Sequence, residues 1–70
     1  MPSEQINLQK VIKEVRVQLG MSQEELAHAL GVSFASINRW ENGKSSPSKL
    51  ARAQFDAFCR KMTNQRKLKL

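Results

Sequence analysis

An all-α fold of four short helices is what this 70-residue sequence predicts, and three observations predict it. Gly20, Gly31 and Gly43, its three glycines, each close a run of apolar residues with the spacing of a helical face. Residues that cap helix starts, Asn7, Ser22, Ser33 and Ser46, stand ahead of the helical runs. No stretch alternates apolar and polar residues as a half-buried strand would. Seventy residues allow one domain. A core of that size buries only about 60% of the unfolded chain's surface and leaves little room for a deep catalytic pocket.

The first helix carries Leu8, Val11, Ile12, Val15 and Leu19 on one face, with Asn7 as its cap and Gly20 as its stop. The second begins at Ser22-Gln23-Glu24-Glu25. Serine followed three residues later by glutamate is a capping box, in which each side chain satisfies an amide that the helix start leaves unpaired. This helix turns Leu26, Ala27 and Leu30 inward and stops at Gly31. The third, capped by Ser33, turns Ile37 and Trp40 inward and ends at Asn42-Gly43, two residues that tolerate left-handed backbone. Lys44-Ser45-Ser46 reads as a loop. Ser46-Pro47 opens the fourth helix, with serine as cap and proline in the first helical position. Its predicted inner face is Leu50, Ala51, Phe55, Phe58 and Met62. Residues 63–70 contain Arg66, Lys67 and Lys69 and no acid, and read as a frayed or flexible basic tail behind a domain of residues 1–62.

The second and third helices meet through a very tight turn, which demands particular side chains. Ala27 is small enough for the third helix to approach. Gly31, four residues on, takes a positive φ in the turn at low cost. Ile37, six residues after the glycine, plugs the angle between the helices, and Trp40 covers the same core. Any one of these residues alone carries no information; the combination does.

Charge is placed unevenly. The chain carries a net +6. Residues 1–35 hold Lys10, Lys13 and Arg16 against Glu4, Glu14, Glu24 and Glu25, a net of −1. Residues 36–70 hold nine Lys/Arg against Glu41 and Asp56, a net of +7. A one-sided basic excess suits a polyanionic partner, because neutralised phosphates release counterions; it also serves plain solubility. Cys59 is the only cysteine and has no intrachain partner, and no Cys/His spacing suggests zinc. No apolar run is long enough for a membrane span, and the start Met1-Pro2-Ser3-Glu4-Gln5 lacks a secretory pattern. The expectation is a reducing, cytoplasmic setting with no membrane, cofactor, metal or small-molecule partner.

The stretch from Gln18 to Lys44 resembles the phage repressor and Cro-like helix-turn-helix family, often called the XRE family. Its most specific parts are Ser22-Gln23-Glu24-Glu25-Leu26-Ala27, Gly31-Val32-Ser33 and Trp40-Glu41-Asn42-Gly43. The likeness spans about residues 8–50. It implies a compact four-helix, lambda-repressor-like DNA-binding domain over residues 1–62. It also implies sequence-specific binding of duplex DNA in transcription regulation, as a repressor or autoregulator at the nucleoid, usually as a homodimer on a two-part site. In such a domain the third helix lies in the major groove with its N-terminal half against base edges.

Carried over residue by residue, Phe34, Ala35, Ser36 and Arg39 face the bases. Helical geometry agrees in part: with Ile37 and Trp40 inward, Ala35, Asn38, Arg39 and Asn42 lie on the opposite face. Arg39 is the leading candidate for direct readout, since its planar fork matches guanine with two hydrogen bonds; the plainer reading is an arginine that solvates an exposed face. Phe34 departs from the polar reader common in relatives. It either presses on a thymine methyl or folds back onto Met21 or Val32 as core. Gln23, Ser33, Asn42, Lys44 and Ser45 are expected phosphate contacts, Gln23 because it opens a helix whose free amides and positive dipole end suit an anion. For Asn42 and Ser45 a cap or loop role is the alternative. The resemblance also implies a structural ion pair between Arg16, late in the first helix, and Glu41.

An enzyme is not expected. His28 stands alone beside Ala27 and Ala29, Glu24 and Glu25 are explained by helix-start capping, and no nucleophile–base pair or phosphate loop is present. The rival reading is a protein-interaction module of the coactivator or antitoxin type, with only weak, non-specific DNA binding, because fold does not fix function. RNA binding is disfavoured by the lack of exposed aromatic platforms. Phe55, Phe58 and Met62 exceed what four short helices are expected to bury, which suggests a dimer through the fourth helix. The chain reads either as a complete small protein or as the N-terminal module of a longer one.

Overall fold

The structure, a computed structural model, describes residues 8–68. The described residues form four helices and no strand: α1 (Leu8–Gln18), α2 (Gln23–Leu30), α3 (Phe34–Glu41) and α4 (Lys49–Asn64). The predicted all-α class, and helices two and three with their boundaries, are what the chain adopts. Asn7, the expected cap of α1, lies outside the described residues.

The inner faces of α1, α2 and α3 are the ones their spacing predicts, and that of α4 is so in part. Ile12 and Val15 from α1, Leu26, Ala27 and Leu30 from α2, Ile37 and Trp40 from α3, and Ala51 and Phe55 from α4 share one core. Ile12, Val15, Leu26 and Ile37 are fully buried. Ile37 thus fills the angle between α2 and α3, and the 3% exposure of Ala27 confirms the close approach there.

The helix ends share one device. At the ends of α1, α2, α3 and α4 an amide reaches back five residues: Met21 to Arg16, Val32 to Ala27, Lys44 to Arg39 and Lys67 to Met62. This Schellman closure requires left-handed backbone at the residue before the donor. Gly20, Gly31 and Gly43 supply it for the first three, and Arg66, at φ 60°, for the fourth. Gly31, at φ 74°, hinges α2 to α3, and nothing lies within 4 Å of the Cβ an alanine would add. Gly31→Ala therefore tests backbone strain alone. It is expected to destabilise the domain by about 1 kcal/mol, read as a lower urea midpoint at unchanged slope. No change would mean that the hinge does not depend on left-handed backbone.

Four expectations are corrected. The fourth helix begins at Lys49 with Ser48 as its cap, the Ser48 Oγ accepting from Ala51 N at 3.2 Å, so Ser46-Pro47 belongs to the loop. Leu50, placed on the inner face, is 71% exposed; with the start moved to Lys49, Ala51 and Phe55 set the buried face instead. Asn42 ends α3 at φ −90°, leaving the left-handed position to Gly43 alone. Residues 63–68 are not a loose tail. Thr63 and Asn64 complete α4, and the turn at Arg66 folds Leu68 onto the core at 2% exposure. Lys69 and Leu70 lie outside the described residues.

Candidate nucleic-acid interface

α2 and α3 are joined through Gly31 and Val32, and both starts are fixed by side chains. Ser22 Oγ accepts from Glu25 N at 3.0 Å while Glu25 Oε1 accepts from Ser22 N at 2.7 Å, completing the predicted capping box. Ser33 Oγ accepts from Ser36 N at 3.1 Å. The helix start that would enter a groove is thus held in place before any partner arrives.

The inner side of α3 is anchored by Ile37, Trp40 and Glu41. Glu41 is the buried charged residue among the described residues, 8% exposed. Its carboxylate takes the Arg16 guanidinium as a fork, Nε donating to Oε2 at 2.7 Å and Nη2 to Oε1 at 3.0 Å. Arg16 Nη1 also donates to the Met21 carbonyl at 3.1 Å. One guanidinium therefore ties α1 to both the α1–α2 turn and the end of α3. Burial pushes the Glu41 carboxyl upward, but hydrogen bonds from Arg16 and Gln23 and the charges of Arg16 and Lys13 outweigh it, so the group ionises below its ordinary value. The hydrogen bond to Glu41 raises Arg16 above its own ordinary value, against the effect of burial.

A polar chain extends outward from this pair. Gln23 Nε2 donates to Glu41 Oε1 at 3.1 Å, Asn38 Nδ2 donates to Gln23 Oε1 at 3.2 Å, and Asn42 Nδ2 donates to Asn38 Oδ1 at 3.0 Å. Gln23, Asn38 and Asn42, expected as independent DNA contacts, are thus linked to one another and to Glu41. Sequence reasoning missed these links. Two of them join residues 18 and 15 positions apart through side-chain geometry that no local spacing encodes, whereas Asn38 and Asn42 stand four apart on one helix.

The outer side of α3 is different in kind. Phe34 is 49% exposed and stands outside the core cluster. Ala35 and Arg39 are exposed, and the Arg39 side chain makes no hydrogen bond or ion pair among the described residues. Ser36 is half-buried, its Oγ 3.0 Å from that of Ser33. Lys44 and Ser45 are exposed in the loop after α3 and stand apart from the polar chain.

The described residues hold no group of three or more His, Cys, Asp or Glu side chains able to take a metal ion. None of their helices is long and apolar enough to cross a membrane. Burial, followed by the nearby charge of Asp56, pushes the Cys59 thiol up, away from the reactive thiolate.

Comparison with known proteins gives concordant matches. A family model described as helix-turn-helix matches residues 12–50. A type II methyltransferase of Lactococcus lactis subsp. cremoris is 51% identical over 43 residues, covering 57% of this chain and 11% of the methyltransferase. An uncharacterized HTH-type transcriptional regulator of Methanothermobacter thermautotrophicus is 44% identical over 41 residues, covering 59% of each chain. The chain thus spans well under two thirds of the length of either relative. No solved structure matches it.

Proposed function

This chain belongs to the XRE-type helix-turn-helix family of DNA-binding domains, and from that premise we propose that it binds duplex DNA sequence-specifically, with α3 in the major groove, and acts in transcription regulation as a repressor or autoregulator. The observation that carries this reading is the two-sided character of α3. Its inner side is fixed to the other helices through Ile37, Trp40 and Glu41, while its outer side presents Phe34, Ala35 and an unpaired Arg39. A rigid helix that carries an unengaged guanidinium is suited to a base edge, because the cost of ordering the helix backbone is met on folding.

In this proposal Arg39, Ala35 and Phe34 meet bases, with Ser36 beside them. Asn38, bonded through both ends of its amide, serves base contact mainly by holding the surface in register. Gln23, Ser33, Asn42, Lys44 and Ser45 position phosphates. The uncharacterized HTH-type regulator among the relatives supports a regulatory role. The methyltransferase match covers only a segment of helix-turn-helix size, so no catalytic activity is carried over from it. Two copies are proposed to occupy a two-part site. Phe55 is buried within one copy, and Phe58 and Met62 are half-buried, so the expected surplus of apolar side chains on α4 is smaller than the sequence suggests.

The test is selection from a random duplex library at near-physiological salt. Two related half-sites, centred about one helical turn apart, are expected. A single short motif would mean a monomeric reader. No enrichment from a folded sample would overturn the proposal in favour of a protein-interaction module.

A further inference from the structure

The first turn of α3 offers two exposed apolar side chains, and the polar groups around them are bonded largely to one another. Phe34 is half exposed and Ala35 is exposed beside it. The flanking hydroxyls face each other, Ser33 Oγ lying 3.0 Å from Ser36 Oγ while also accepting from Ser36 N. The neighbouring amides of Gln23 and Asn38 are closed into the chain that leads to Glu41. One turn further on, Arg39 is exposed with its guanidinium unpaired.

In the major groove thymine and cytosine differ at two points, the hydrogen-bonding group at C4 and the methyl at C5. An aromatic ring and a methyl group make no hydrogen bond that tells one C4 group from the other. They do gain by covering a C5-methyl, which leaves water on contact. That methyl occupies the same place on thymine and on 5-methylcytosine. We propose that Phe34 and Ala35 form a reader of the pyrimidine C5-methyl group, so that methylation of a cytosine in the site strengthens binding as a thymine there does. The inference rests on the major-groove docking of α3 proposed above. Arg39 fixes where the methyl lies. Phe34 and Ala35 lie five and four positions before Arg39, about 6–8 Å along the helix, or roughly two base steps of about 3.4 Å. The methyl-bearing pyrimidine is therefore within about two steps of the guanine that Arg39 takes.

The test resynthesises the selected site with single replacements, deoxyuridine for thymidine and 5-methylcytosine for cytosine, and measures binding of the 70-residue chain by fluorescence anisotropy. At one pyrimidine position within about two steps of that guanine, the thymine version of the site is expected to bind about fourfold more tightly than the deoxyuridine version, and the 5-methylcytosine version about as much more tightly than the cytosine version. Phe34→Gln, its fold checked by thermal melting, removes both differences, and Phe34→Leu, still apolar, retains them. Arg39→Ala weakens binding to every version of the site yet preserves the ratio between methylated and unmethylated duplexes. Equal affinities within both pairs for the unsubstituted chain, or ratios unchanged by Phe34→Gln, would overturn the methyl reading while leaving sequence-specific binding intact. Absence of any preferred site would overturn both.

Discussion

Replacing Arg16 with alanine is expected to lower the stability of the domain by about 3 kcal/mol. For a domain of this size that is a fall in Tm on the order of 15 °C. The loss comes from what remains behind. The Glu41 side chain is 4% exposed and its partner's 17%, so water cannot replace the guanidinium without opening the core. Without Arg16, Glu41 keeps the Gln23 amide at 3.1 Å but no directly paired cation, and the Met21 carbonyl loses its Arg16 donor. Arg16→Lys is expected to fall between, since it restores charge but not the fork.

Acid supplies a second readout of the same pair. The Glu41 carboxyl ionises below its ordinary value of 4.5 in the fold. A carboxyl lowered in this way contributes stability that is fully present above that value and is lost as pH falls through the folded one. Without Arg16, burial is left to raise the same carboxyl in the variant, so the difference in stability between the parent chain and Arg16→Ala should narrow as pH falls from above 4.5 through the lowered value of the parent. A Tm within 3 °C of the parent at pH 7, against roughly 4–8 °C per kcal/mol for such domains, would sink the claim. A gap that persists unchanged into acid would assign the loss to packing rather than charge.

What the sequence disclosed and what it concealed divide along a physical line. Local signals were legible: Ser22 with Glu25, Ser33 ahead of α3, and a glycine at the end of three helices each act within a turn or two of chain. The core followed from periodicity, with Ile37 and Trp40 three positions apart on one face of α3. The end of α4 was hidden because its left-handed residue is Arg66, a side chain that carries no turn signal. Leu68 was hidden for the same reason, its burial depending on that turn. At the other end, Ser46-Pro47 carries the local signature of a helix start, yet the bond from Ala51 N to Ser48 Oγ puts the cap two residues later. Within the candidate interface, the Arg16–Glu41 pair came from family resemblance, whereas the links through Gln23 and Asn38 arise only once α2 and α3 cross.

That crossing also separates two kinds of residue on α3, and Arg39→Ala measures the difference. The Arg39 side chain bonds to nothing in the described structure, so its removal should leave stability within about 0.5 kcal/mol. Affinity for the selected duplex should nevertheless fall by about 1–3 kcal/mol, or roughly 5- to 150-fold, with preference relaxed at one base pair. Binding to random duplex should weaken far less, since only one positive charge is lost. Arg39→Lys sharpens the reading because it keeps the charge and removes the two-pronged geometry. If Arg39 reads guanine, the lysine variant retains the salt dependence of the parent yet loses discrimination at that base. If Arg39 instead lies on a phosphate, lysine restores affinity on every sequence alike, and alanine lowers the salt slope by about one with no change in base preference. Lys44→Ala is the matching control for a backbone contact, with a uniform loss across sequences expected. A loss shared equally by all duplexes in both arginine variants would remove Arg39 from the reading surface and leave Phe34 and Ala35 as its direct contacts.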